Sequence, residues 1–329
     1  MDLSCAFPPS LRTPEYIELA EDLGYARAWC YDSPSYYADP WVTVARAAER
    51  TNRIGLGIGV LVPSLRHLMV TASSIATLDA LAPQRFSITI GSGFSARMGL
   101  GKRAMRWADV AEYVRALRQL LAGDTIDWDG RKICMQHPDG FGSARPIEIP
   151  ILIAADGPKG FAVANELGDG AFFAPTPHVT EVADLATKAL LVFGTVLDDG
   201  ESVTSDRARD AYGSQLAAAY HIVFERMGSD AVDALPGGRQ WRESVGDIPT
   251  ELQHLAIHEG HLVTPNERDA VIVREGSANA PNLMWVDDAP KLRKKVDELV
   301  DLGVTEVVFQ PGGSDIAREL RAFTDLVDF

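Results

Sequence analysis

The sequence predicts an α/β fold, a single (β/α)8 TIM barrel over residues 1–329 with insertion segments. Three observations lead there. Strand-like apolar runs alternate with helix-like segments from end to end. No shift of composition marks a linker. Residues 54–97 hold strand, helix and strand in about forty residues, the βαβ unit of two neighbouring parallel strands. A two-domain doubly wound sheet is the competing architecture.

Taken in order, Leu3–Phe7 reads as a short strand, and Thr13-Pro14-Glu15 starts a helix, with Thr13 as its cap and Pro14 in the first turn. Ile17, Ala20 and Leu23 give that helix its inner face, and Gly24 closes it. Ala26–Tyr31 is a strand ending in Asp32-Ser33-Pro34. Asp39-Pro40 caps a helix that stops near Thr51. Ile54–Leu61 alternates Gly with branched aliphatics, a helix runs from Arg66 to Leu81, and Phe86–Ile90 is an apolar strand. A long helix covers Trp107–Leu121, and Asp129-Gly130 turns a hairpin within Thr125–Met135. After a Pro/Gly/Ser-rich loop at 136–147, Ile151–Ala154, a helix to Leu167 and Gly170–Phe173 form a further βα unit. Residues 186–197 read as a helix end and a strand around Leu190–Val196, and residues 203–285 as mostly helix. The chain closes with helix Ala289–Leu302, strand Glu306–Phe309 and helix Ser314–Val327.

Composition narrows the function. With 46 % hydrophobic and 23 % charged residues, the chain has material for a large core. A net charge of −15 argues against a nucleic-acid partner, which demands clustered Lys and Arg. Cys5, Cys30 and Cys134 are too few and scattered for a disulfide framework, and no apolar run is long enough to span a membrane. The expectation is a reduced, cytoplasmic protein with a small-molecule substrate.

The chemistry gathers at strand ends. Gly59-Val60 with Val62-Pro63 ends one strand of the βαβ unit, and Gly91-Ser92-Gly93 ends its neighbour. Two such ends side by side let a ligand meet bare backbone. Gly91-Ser92-Gly93 offers amide N–H groups to an anion, although a Gly-x-Gly after a strand is also what a tight turn looks like. Ala155-Asp156-Gly157-Pro158-Lys159 opens a helix, where amides and the helix dipole favour an anion, and Lys159 adds charge. Arg97 follows the first loop closely. His258 and His261, in His-Glu-Gly-His, share a face or cap a loop; a zinc site needs a third ligand that the sequence does not reveal, so no metal is expected. His67 begins a helix, either capping it or bordering a cofactor. His178 falls on a C-terminal barrel loop. Trp29, Tyr31, Trp41 and Phe94 either line an apolar pocket or belong to the core. No Ser/His/Asp triad or carboxylate pair stands out, and catalytic residues are left unassigned.

These residues carry a resemblance over nearly the whole chain. Gly59-Val60, Val70-Thr71-Ala72-Ser73, Ala76-Thr77-Leu78-Asp79, Gly91-Ser92-Gly93, Ile153 to Lys159, Gly168-Asp169-Gly170 and Phe309-Gln310-Pro311 stand in the order seen in bacterial luciferase-like oxidoreductases. The chain resembles in particular their branch dependent on the deazaflavin coenzyme F420, typified by methylenetetrahydromethanopterin reductase. The resemblance implies a tricyclic ring at the barrel mouth, resting on a non-prolyl cis peptide at Gly59-Val60 with Val62 beside it. It implies Asp32 near the ring's polar edge, phosphate contacts from Gly91, Ser92, Gly93, Ala155, Asp156, Gly157 and Lys159, and Arg97 toward a phosphate or the coenzyme's acidic tail. Ser33, Phe94, His178, His258 and His261 are then candidates for the substrate pocket. Two departures stand out: the sugar-phosphate dehydrogenases of this branch carry His where this chain has Ser33 and Glu where it has Phe94, so their acid/base pair does not carry over. The implied activity is hydride transfer between the deazaflavin C5 and an organic substrate. A reduced-FMN monooxygenase and a non-catalytic flavin-binding barrel are the alternatives, and a homodimer is expected through helices near the second and third strands.

Overall fold

The computed structural model describes residues 1–326. Its strands in chain order are β1 Asp2–Phe7, β2 Arg27–Cys30, β3 Gly55–Leu61, β4 Phe86–Ile90, β5 Ile126–Trp128, β6 Arg131–Ile133, β7 Ile151–Ala154, β8 Gly170–Phe173, β9 Thr187–Leu197, β10 Trp285–Asp288 and β11 Glu306–Gln310. The residues group into two compact units. One comprises Met1–Arg97, Lys102–Leu191 and Leu302–Val308; the other comprises Met98–Gly101, Val192–Asp301 and the segment from Phe309 on.

The first unit contains the barrel. Hydrogen bonding orders the strands β9-β11-β1-β2-β3-β4-β7-β8, and β8 pairs back onto β9, so eight strands close on themselves. The β1–β2, β2–β3, β3–β4, β4–β7, β7–β8 and β8–β9 pairings are parallel. β5 and β6 form the separate antiparallel hairpin, turned at Asp129 (φ 50°) and Gly130 (φ 71°) as Asp-Gly favours. The alternating glycines of β3 have a clear cause. Trp29 of β2 lies fully buried across them, and a Cβ on Gly57 would stand 2.3 Å from its ring. Its indole N–H donates to Glu306 Oε1 at 3.1 Å, and Arg27 Nη1 donates to Glu306 Oε2 at 3.0 Å. Trp29 is therefore barrel core, because the glycines opposite make room for its ring.

Several local expectations change. Thr13 does not cap the first helix, which spans Thr13–Asp22; its hydroxyl instead accepts from the Ser10 amide at 2.8 Å. Asp39 does cap the helix Pro40–Arg50, accepting from the Trp41 and Val42 amides at 2.8 and 3.1 Å. β9 begins at Thr187 and no helix end falls within 186–197; a short 3-10 turn, Val179–Val182, precedes it, and Thr187–Leu190 pair with Gly170–Phe173 of β8. A short helix, Phe94–Met98, follows the Gly-Ser-Gly turn. The closing helix is Ile316–Thr324; Val327, placed in it from sequence, lies outside the described residues. Cys5, Cys30 and Cys134 are free thiols.

The second unit is mostly helical, as its sequence suggests, around the long helix Asp206–Met227. Tyr212, Leu216 and Tyr220 from that helix pack with Trp241 and Ile272 into one apolar cluster. β10, which the sequence reading does not contain, pairs in parallel with the last residues of β9. Gly194 permits this pairing, because a Cβ there would sit 2.0 Å from the Trp285 carbonyl oxygen. Buried Glu319 is held by Arg207 Nη1 (3.0 Å), Arg318 Nη1 (2.9 Å) and Thr195 Oγ1 (2.7 Å).

Candidate functional site

The ends of β3 and β4 form a continuous floor. The Gly59-Val60 peptide is cis, as the resemblance implied. The β3–β4 register breaks there: Gly59 faces Thr89 and Leu61 faces Ile90, so Val60 is skipped as a bulge. Val60 and Val62 project beneath the neighbouring turn. A Cβ on Gly91 would come within 2.7 Å of Val60 Cγ1, and one on Gly93 within 2.4 Å of Val62 Cγ1. Gly93 also has φ +82°, which L side chains rarely adopt. Glycine is thus required twice, and the turn presents backbone in place of side chains.

Of the three amides in that turn, one is already used. Gly91 N–H donates to the Leu61 carbonyl at 3.1 Å, closing the bulge, so it is not a phosphate donor. Among the described residues, Ser92 and Gly93 N–H have no acceptor, while the Ser92 carbonyl accepts from Met105 N–H at 2.8 Å. The second loop divides in the same way. Ala155 N–H extends the β7–β8 ladder to the Phe172 carbonyl (3.2 Å) and is not available to a ligand. Gly157 precedes the helix Pro158–Leu167, whose first turn has no side-chain cap. Asp156 and Lys159 are exposed. Gly160 is needed for packing, because a Cβ there would lie 2.7 Å from Trp107 Cζ2.

Asp32, at the end of β2, is 1 % exposed. Arg66 Nη1 donates to both of its oxygens, at 2.8 and 2.6 Å, and Arg66 Nη2 reaches Asp39 at 2.9 Å. The Val62 amide also donates to Asp32. Burial pushes the Asp32 carboxyl up from its usual range, against the pull of Arg66. Nearby, the Tyr113 hydroxyl lies 2.7 Å from Thr71 Oγ1, and burial raises its pKa to about 12. Sequence reasoning missed Arg66 and Tyr113. The signal for Arg66 was a lone cation in an apolar strand-to-helix connection; Tyr113 reads as an ordinary core position of its helix.

The other candidates disperse. Ser33 is mostly buried, and its carbonyl accepts from the Tyr36 and Tyr37 amides. Phe94 opens its short helix and is half-buried. Arg97 folds back: its Nε donates to the Arg103 carbonyl and its Nη1 to the Ser64 hydroxyl, with its stem against Gly93. His67 is a helix cap, its Nδ1 accepting from Met69 N–H at 3.1 Å. His178 packs on Phe161 and Phe173, with ring centroids 5.0 and 6.1 Å away. Trp41 packs on Phe86 under the Arg66 guanidinium, and Tyr31 against Tyr37. His258 and His261 are not on an open pocket wall. They are buried with His221, and that burial together with His258 and His221 holds His261 well below the usual histidine range.

The floor suits a flat ring bearing a phosphate chain. Ser92 and Gly93 supply unpaired amides, Pro158–Leu167 an uncapped helix start, and Thr89 Oγ1, opposite Gly59, is buried without a hydrogen-bond partner among the described residues. These are neutral amides, hydroxyls and a dipole, a donor set for phosphate and carbonyl oxygens.

Comparison with known proteins agrees with this geometry. A profile described as luciferase-like monooxygenase matches residues 9–189. A 5,10-methylenetetrahydromethanopterin reductase of Archaeoglobus fulgidus is 30 % identical, covering 99 % of this chain and 97 % of its own. An F420-dependent glucose-6-phosphate dehydrogenase of Mycobacterium tuberculosis is 33 % identical over 86 % of this chain and 80 % of its own. The solved coenzyme F420-dependent tetrahydromethanopterin reductase of Methanopyrus kandleri superposes with a TM-score of 0.68 at 22 % identity, covering 99 % of both chains, which speaks to fold. The match to more than half of the chain, the end-to-end relatives and the bulged third strand agree: this chain belongs to the luciferase-like family.

Proposed function

We propose that the chain is an oxidoreductase dependent on coenzyme F420, passing a hydride between the deazaflavin and an organic substrate. The observation that carries this reading is the likeness, over most of the chain, to a relative named as F420-dependent, combined with a floor of bare backbone at the ends of β3 and β4. When bound, the deazaflavin supplies the hydride acceptor or donor. The protein's contribution is positional. Gly59, Val60 and Val62 form the ring's support. Ser92, Gly93 and the amides of Gly157 and Lys159 receive the phosphate, Pro158 between them having no N–H to give, and Asp32, held by Arg66, faces the polar edge. Arg97 is committed to Arg103 and Ser64, so only a rearrangement frees it for the acidic tail. Ser33 and Phe94 in place of His and Glu argue against glucose 6-phosphate as the substrate. The alternative, a reduced-FMN monooxygenase, draws on the family's description. A homodimer through the helices Pro40–Arg50 and Leu68–Leu81 is supported by exposed Val42 and Val70. Among the described residues no helix is long and apolar enough to cross a membrane.

Titration of the purified protein with coenzyme F420 and with FMN, oxidised and reduced, tests the reading by fluorescence. Micromolar binding of F420 with much weaker FMN is expected. The reverse preference moves the assignment to the monooxygenase, and binding of neither removes the cofactor site.

A further inference from the structure

His258 and His261 have the third histidine that their spacing alone could not supply. His221, from the helix Asp206–Met227, meets them so that one ring nitrogen of each of the three lies within 4.8 Å of the other two. The side chains are 2 %, 1 % and 6 % exposed for His221, His258 and His261. Two of the rings are backed by carboxylates. His221 Nε2 is 2.9 Å from Asp269 Oδ1, and His258 Nε2 is 2.7 Å from Glu225 Oε1. A carboxylate takes the proton side of the ring, so in each the lone pair is left on Nδ1. His221 Nδ1 is buried with no hydrogen-bond partner among the described residues. His258 Nδ1 stands 3.3 Å from His261 Nδ1.

We propose that His221, His258 and His261 bind one divalent transition-metal ion of the zinc class, with Asp269 and Glu225 orienting the ligands from behind. Two nitrogens each ~2.0–2.1 Å from a tetrahedral metal lie ~3.3–3.4 Å apart, the spacing already present between His258 and His261. A carboxylate behind a ligating imidazole is the usual outer shell of such sites, setting the tautomer and raising basicity. Here two carboxylates also balance the dication's charge in a buried place. Imidazole ligands select zinc, cobalt, nickel or copper over magnesium or calcium. A hydrogen bond between His261 and His258 accounts for their contact alone and leaves His221 Nδ1 unsatisfied. Trp241 fixes the geometry further, stacking on His221 at 5.1 Å and donating its indole N–H to Asp269 at 3.1 Å.

The role this assigns to the ion is structural. It ties the long helix to the segment through Leu262, whose carbonyl accepts from Gln310 Nε2 at 3.1 Å, at the end of β11. The inference is independent of the cofactor reading.

The test uses the full chain, stripped with a chelator and titrated with Co(II), then with Zn(II). One equivalent of Co(II) with intense visible bands of four-coordinate geometry, displaced by Zn(II), is expected, with a thermal midpoint raised by Zn(II). His261→Ala and His221→Ala should each weaken metal retention at least about tenfold while the far-ultraviolet dichroism stays native. If those variants do not fold, the wild-type titration decides alone. Failure of the wild type to bind Co(II) at micromolar concentration overturns the proposal, as does binding unchanged in the folded variants.

Discussion

In the first unit, Gly91 and Gly93 open a floor because Val60 and Val62 lie directly beneath them. In the second, His221 and Glu225 of the long helix converge with His258 and Asp269 from later segments of the chain. The floor is made of backbone and is damaged by adding an atom. The histidine cluster is made of side chains and is damaged by removing one. The difference teaches where each region is sensitive, and substitutions of opposite kind distinguish them.

The largest effect is expected in the cluster. Asp269 accepts from His221 Nε2 (2.9 Å), Trp241 Nε1 (3.1 Å) and the Asn266 amide (3.1 Å). Asp269→Ala strands two buried donors and one half-buried donor at once and should cost ~3–5 kcal/mol by denaturant titration, with Asp269→Asn recovering part. A cost under ~1 kcal/mol would show that the carboxylate does not organise the cluster.

On the floor, the sharper test is a pair of glycines. Gly93→Ala combines φ +82° with a 2.4 Å approach to Val62 and should cost ~2–4 kcal/mol and at least about tenfold in F420 affinity. Gly157→Ala meets no heavy atom within 4 Å and should change stability by under ~0.5 kcal/mol. Equal effects of the two would break the account of a floor shaped by close approach.

The acid–arginine pairs extend the comparison to pH. Arg207, with Ser205 and the Asp198 amide, lowers the Glu201 carboxyl to about 2, so its stabilising contribution is complete above about 4.5 and is lost as pH falls toward about 2. Asp32 is shifted the other way by burial. Its folded form favours the proton, so that contribution is present at low pH and is lost as pH rises through the raised value. Unfolding of Glu201→Gln and Asp32→Asn against wild type across pH should therefore show opposite slopes; slopes of the same sign would remove the contrast.

The smallest effect belongs to exposed Lys159. Lys159→Ala should leave stability within ~0.5 kcal/mol and weaken F420 binding only a few-fold, more so at low salt. A loss as large as that of Gly93→Ala would make the phosphate site a matter of side-chain charge.

The barrel was legible because its signals are local. Asp39-Pro40, Asp129-Gly130 and the alternating glycines of β3 each act within a few residues, and the helices follow apolar spacing. The floor was legible too, since a site built of backbone announces itself as glycine. Less legible was which amides stay open: Gly91 and Ala155 looked like donors, yet one closes a bulge and the other extends a ladder. β10 was not read as a strand, because its burial comes from pairing with β9, far away in the chain.

The sequence by itself determined the succession of strands and helices, the glycine-made ends of β3 and β4, and the family. Tertiary structure alone decided that Trp29 is core, that Arg66 meets Asp32, and that His221 joins His258 and His261. The physical reason is range. Turn and helix preferences are properties of neighbouring residues, whereas a buried polar side chain finds its partner only when packing brings distant segments together and forces its hydrogen bonds to be satisfied there.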